Sequence, residues 1–160
     1  MEKLRSLIAM LRQEPGILSD RITAEVLQVM IEQGTMMTLE MNNVIIACCA
    51  IWETETEELF ELGTVWVHPD YRDHRLASLM FAECTARVKS MGAQAFLITK
   101  HPAVVHLAQK HGWHEATREN WSVIVPFEAS CGVCASMSEA EKPTCPHRAV
   151  REDCQMFTIG

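Results

Sequence analysis

The chain has 160 residues, enough for one domain with a full hydrophobic core and a small appendage. Its apolar fraction of 48% and charged fraction of 22% are ordinary for a globular protein and exclude collagen-like, coiled-coil and extended disordered chains. The formal net charge of -7 disfavours a broad phosphate-binding surface, so nucleic acid is not the expected partner, although a local cationic pocket for one small anion is compatible with it.

In chain order, Leu4, Leu7, Ile8 and Leu11 recur at helical spacing, and Gln13-Glu14-Pro15-Gly16 stops the run. A second helix is predicted over Ala24 to Gln33, capped by Asp20 or Thr23 and ended by Gly34. Thr35 to Met41 and Val44 to Trp52 read as strands joined by a tight Asn42-Asn43 turn, because Asn tolerates left-handed backbone angles. The run Val44 to Trp52 is the longest apolar stretch and is too short to cross a bilayer. An acidic loop, Glu53 to Glu58, precedes a third strand over Leu59 to His68. A helix follows, with a predicted stripe of Leu76, Leu79, Met80, Cys84, Val88 and Met91 and a stop at Gly92. Ala95 to Thr99 is a short buried strand, Pro102 to His111 a helix before Gly112, and Trp121 to Phe127 a last strand.

The N-terminus lacks the apolar core and cleavage site of a signal peptide, which reads as a cytoplasmic protein with no membrane partner. The chain holds seven cysteines, and four of them fall after residue 130 among few large apolar residues. Residues 1–129 are therefore expected to form the main domain and residues 130–160 a small cysteine-rich C-terminal module. Cys131-x-x-Cys134, with Cys145 and Cys154 downstream, presents four soft ligands suited to a structural zinc site, with His147 able to replace one of them. Cys48, Cys49 and Cys84 lie in apolar patterns and read as small hydrophobes. Helices and strands in this order make an α/β (α+β) sandwich of mixed topology.

The stretch Val65 to Ser78 carries the most chemical information. A strand ends at Pro69, a basic loop with Arg72 and Arg75 follows, and a helix opens at the small residues Ala77 and Ser78. Unpaired N–H groups at a helix N-terminus attract anions, and small residues let a pyrophosphate approach the backbone. The stretch resembles the acyl-CoA signature of the GNAT superfamily of acyl-CoA N-acyltransferases, Val-x-Pro-x-x-Arg-x-x-Gly-x-Gly/Ala. Val67, Pro69, Arg72 and Ala77 follow it, with His68 between the first two, and Arg75 stands where the pattern has Gly. A second family pattern, Asn-x-x-Ala-x-x-Leu-Tyr-x-x-x-Gly-Phe, is similar to His101 to Trp113. Leu107 and Gly112 match, Trp113 replaces Phe, His101 stands at the Asn and Ala108 at the Tyr.

The resemblance implies a mostly antiparallel central sheet flanked by helices. It also implies transfer of an acetyl group from acetyl-CoA to a primary amine by direct attack. It assigns coenzyme contacts to Trp66, Val67, Arg72, Asp73, His74, Arg75, Leu76, Ala77, Ser78 and His101. Backbone donors near Trp66 and Val67 would polarise the thioester carbonyl. Glu61, flanked by Phe60 and Leu62, is the candidate general base. With the family's tyrosine acid missing, His106 or His111 is left to protonate the leaving thiolate, or it leaves unassisted. The alternatives are a non-catalytic acyl-CoA-binding protein and a zinc-dependent interaction module. The acceptor amine, small-molecule or peptide, and the oligomeric state, a homodimer included, stay open.

Overall fold

The computed structural model describes residues 1–14, 17, 21–54, 56–72, 74–99, 101–117 and 155–160. They form helices α1 (Glu2–Leu11), α2 (Ala24–Gln33), α3 (Leu76–Ser90) and α4 (Pro102–Lys110). The strands are β1 (Met36–Met41), β2 (Val44–Glu53), β3 (Leu59–Val67), β4 (Gln94–Thr99), β5 (His114–Ala116) and β6 (Gln155–Ile159). The chain divides into two compact units, residues 1–52 with 62–91, and residues 53–61 with 92–160.

In the first unit, α1 buries Leu4, Leu7, Ile8 and Leu11, and α2 buries Ala24, Leu27 and Met30. These side chains join Met36, Ile45, Cys48, Ala50, Trp52 and Trp66 in one cluster. Thr23 Oγ1 accepts from the Val26 N–H, so Thr23 is the N-cap, and Gly34 leaves the helix at φ 68°; Asp20, the other predicted cap, lies outside the described residues. Asn42 and Asn43 both take positive φ, 50° and 64°, as the β1–β2 hairpin requires. β1 and β2 pair antiparallel, from Met36 opposite Ala50 to Met41 opposite Val44. Every residue of β2 from Ile45 to Trp52 is buried, the mark of a strand covered on both faces.

The α3 stripe is rotated from the predicted one. Met80, Phe81, Cys84, Thr85 and Val88 are buried, whereas Leu79 is 48% exposed. At about 100° per residue, Leu79 points almost opposite to the centre of that set. Phe81, absent from the predicted stripe, is the large side chain that decides which face turns inward.

In the second unit, β3 pairs parallel with β4 over Leu59 to Glu61, opposite Gln94 to Phe96. β6 lies between β4 and β5 and is antiparallel to both. One expectation changes here. Residues 155–160 are not part of a separate tail: Met156 and Phe157 are fully buried, and β6 runs its whole length against β4. β5 and β6 are neighbouring strands, with Ala116 opposite Met156, and the cysteine-rich stretch falls between them in sequence, outside the described residues. The strand predicted over Trp121 to Phe127 lies outside the described residues. The result is a mixed sheet, mostly antiparallel, flanked by helices, as the family resemblance implied.

Candidate coenzyme loop and acyl-transfer site

The site starts at the end of β3. Thr64 takes φ 54°, a value rare for a β-branched residue inside a strand. Two side chains of β2 hold it there. Trp52 Nε1 donates to Thr64 Oγ1 at 3.1 Å, and Cys48 Sγ donates to the Thr64 carbonyl at 3.6 Å. Strained backbone of this kind persists only where its surroundings over-determine it, and it gathers at functional sites. The Arg21 guanidinium stacks 4.2 Å from the centre of the Trp52 ring, a half-buried cation beside the irregular segment.

After Val67 the chain turns through a short 3-10 helix, Pro69–Tyr71, capped by His68 Nδ1, which accepts from the Asp70 N–H at 3.3 Å. The His68 ring meets Trp66 edge-on at 5.9 Å and Tyr71 at 5.6 Å, a run of rings that fixes the start of the loop. Arg72 is extended, and the carbonyl it presents lies 3.0 Å from His74 Nδ1. Arg75 then enters the left-handed region, φ 58° and ψ 16°, and α3 begins. This conformation is the one glycine adopts at no cost, which explains the family's Gly at this position.

The first turn of α3 suits an anion. Arg75 makes no side-chain cap, and no acidic residue lies in that turn. By contrast, Thr23 caps α2 and Glu25 sits in its first turn, where its carboxyl is held below the usual range by backbone and Thr23 hydrogen bonds. Leu76, Ala77 and Ser78 are half-buried at the start of α3, and Ala77 offers no bulk to keep a phosphate from the main chain. Thus Trp66, Val67, Arg72, His74, Arg75, Leu76, Ala77 and Ser78 fall on one strand–turn–helix segment. Asp73 lies outside the described residues.

The other predicted residues fall elsewhere. Glu61 is half-buried on β3, opposite Phe96, at the last pair of the ladder to β4. His101 caps α4, its Nδ1 accepting from the Ala103 N–H at 3.3 Å, which is the task an Asn side chain performs at such a position. Ala108 is fully buried, so the family's tyrosine position is occupied here by packing. His106 is exposed on α4. Burial and the neighbouring Lys110 hold the His111 imidazole below its usual range, so it resists becoming the cation that an acid needs to be. Cys131, Cys134, Cys145, His147 and Cys154 lie outside the described residues. Among the described residues no group of three or more His, Cys, Asp or Glu side chains stands ready to hold a metal. Cys48, Cys49 and Cys84 are buried free thiols, and burial pushes the Cys48 and Cys49 thiols up, away from reactive thiolate.

Sequence reasoning missed Glu14, Arg21, Trp52 and Thr64. Glu14 was visible only as part of a helix stop, and a strand threonine carries no signal of a positive φ.

Residues 6–113 match the acetyltransferase (GNAT) family profile. The chain belongs to the GNAT acetyltransferase family. It is 35% identical over 104 residues to an amino-acid acetyltransferase of Vibrio vulnificus (strain CMCP6), a match covering 64% of this chain and 22% of that one. The corresponding protein of Proteus mirabilis (strain HI4320) is 33% identical over 105 residues, covering 65% and 22%. The matched stretch is therefore about a fifth of the length of these curated relatives. The fold also resembles an N-acetylglutamate synthase from Neisseria gonorrhoeae complexed with coenzyme A and N-acetyl-glutamate. The TM-score is 0.60 at 14% identity, over 99% of this chain and 32% of that one. A Mycobacterium tuberculosis protein in complex with CoA and NLQ gives a TM-score of 0.62 at 13% identity, over 99% and 93%.

Proposed function

We propose that the chain is an acetyl-CoA-dependent N-acetyltransferase whose acceptor is the amine of an amino acid. The observation that carries the reading is the strand–turn–helix segment from Trp66 to Ser78 in a GNAT chain, with an uncapped helix start free of acids and flanked by Arg75. There the coenzyme's diphosphate receives main-chain N–H groups of α3 and the charge of Arg75. The thioester lies along the end of β3, where main-chain donors near Trp66 and Val67 hold the developing oxyanion. The neutral amine attacks the carbonyl carbon, the C–N bond forms, the C–S bond breaks with the electron pair leaving on sulfur, and the proton shed by the attacking nitrogen passes to the thiolate, which departs as free coenzyme thiol. Glu61 takes the ammonium proton, through water, before attack. An amino-acid acceptor is supported by the likeness to amino-acid acetyltransferases and by Arg21, whose stacked guanidinium suits a carboxylate. The cysteine-rich stretch holds a structural zinc through Cys131, Cys134, Cys145 and Cys154. This part of the proposal rests on their spacing in the sequence.

Calorimetry with acetyl-CoA, followed by thiol release over a panel of amino acids, tests the reading. Binding and turnover with at least one amino acid are expected, with Glu61→Gln slowed about 100-fold or more in kcat and Arg21→Ala raised in acceptor KM. Folded protein that binds no acetyl-CoA overturns the whole reading. Binding without turnover leaves the non-catalytic alternative.

A further inference from the structure

We infer that Glu14 is a positioning residue for the coenzyme loop, and that it holds Arg72 as a strut instead of leaving that arginine to bind phosphate. The inference rests on the reading of this loop as the coenzyme site. The carboxylate lies just past α1, on a turn fixed by the Gln13 N–H to Met10 and the Glu14 N–H to Leu11, both to carbonyl oxygens. Leu11, fully buried, anchors that end of α1. From there Glu14 Oε1 accepts from two donors. One is Trp66 Nε1 at 3.3 Å and the other is the Arg72 guanidinium. Arg72 also donates through Nε to the Val67 carbonyl at 3.1 Å. Three points of the site are thereby tied to one carboxylate: the last buried side chain of β3, the terminal carbonyl of β3, and the first arginine of the loop.

The chemistry of each partner argues for a strut. The Trp66 side chain is 3% exposed, and a buried indole N–H needs an acceptor. A guanidinium that already meets a carboxylate is electrically neutralised, so a phosphate approaching it must displace the carboxylate and leave that charge without its partner. The Arg72 head is therefore spent on the end of β3, the same strand end that offers main-chain donors to the thioester. Arg75 and the N–H groups of α3 remain to meet the diphosphate.

The two roles for Arg72 predict opposite signs. If it is a strut, Glu14→Gln loosens the loop and raises the Kd for coenzyme A about tenfold, while kcat at saturating coenzyme changes by less than about threefold. If Arg72 is a phosphate ligand restrained by Glu14, the same substitution frees it and lowers the Kd. Arg72→Gln is expected to match Glu14→Gln, and the double variant to be no worse than either single one. Binding is measured by calorimetry on the full chain, with circular dichroism confirming the fold. Glu14→Asp, which keeps the charge but shortens the reach, serves if the glutamine variant does not fold and is expected to raise the Kd as well. Unchanged or tighter binding in the Glu14 variants, or additive losses in the double variant, overturns the strut while leaving the coenzyme site intact. A wild-type chain that binds no coenzyme overturns the underlying reading instead.

Discussion

Arg75 carries a long side chain through a backbone well that glycine enters freely. For an L-residue the left-handed region costs about 1–2 kcal/mol, and a cation at a helix N-terminus also opposes the dipole. The same charge is an asset when a diphosphate binds. Arg75→Gly is therefore expected to raise the stability of the free protein by about 1 kcal/mol, or roughly 2–4 °C in Tm, and to weaken coenzyme A binding about tenfold. A thermal melt and a calorimetric titration read the two effects. A lower Tm together with unchanged affinity contradicts both halves of the argument. Whether Arg75 takes strain could be asked of the sequence, because the family's Gly marks the backbone conformation. That Arg72 is engaged by Glu14 could not be asked, since the two are distant in the chain and no local pattern links them.

At the scale of elements, hydrophobic period and stop residues account for most of the secondary structure. α1 and α2 end at the expected breaks, the Asn42-Asn43 hairpin forms, and α4 starts at Pro102. These features are legible because each depends on residues within one or two turns of itself. The face that α3 buries is not legible in that way, because Leu79 and Phe81 are equally apolar in one dimension and only the partner surface selects between them. The irregularity at Thr64 is likewise made by β2, through Trp52 and Cys48. Trp52→Phe keeps the ring beneath Arg21 but removes the donor, and it should cost about 1 kcal/mol. Thr64→Gly releases the backbone strain but orphans a buried indole N–H. Each single variant loses stability or breaks even, and the double variant is expected to be more stable than the sum of the two predicts. Denaturant unfolding measures that coupling; strict additivity would mean that Trp52 does not hold the bend.

At the scale of the whole molecule, the closing strand decides how the C-terminal stretch is understood. Met156 and Phe157 are fully buried between β4 and β5, so truncation before residue 155 removes about 2–3 kcal/mol per side chain along with both ladders. Truncated chain is expected to lose cooperative unfolding. Replacing residues 118–154 by a short flexible linker is expected to keep the melt and coenzyme binding, because Ala116 and Met156 are already neighbours and loop closure costs little. Elemental analysis is expected to find stoichiometric zinc in the full chain and none in the excised protein. A full chain without metal removes the zinc proposal, and a truncated chain that melts normally removes the role given to β6. The elements from α1 to α4, the coenzyme-loop signature and the family resemblance are legible in the chain, because they reside in local period, capping and contiguous motif. Only the tertiary structure decided that the last residues are a core strand, that Thr64 bends under two side chains from β2, and that Glu14 meets Arg72. Each of these depends on groups far apart in the chain that become neighbours only after burial has chosen which faces meet.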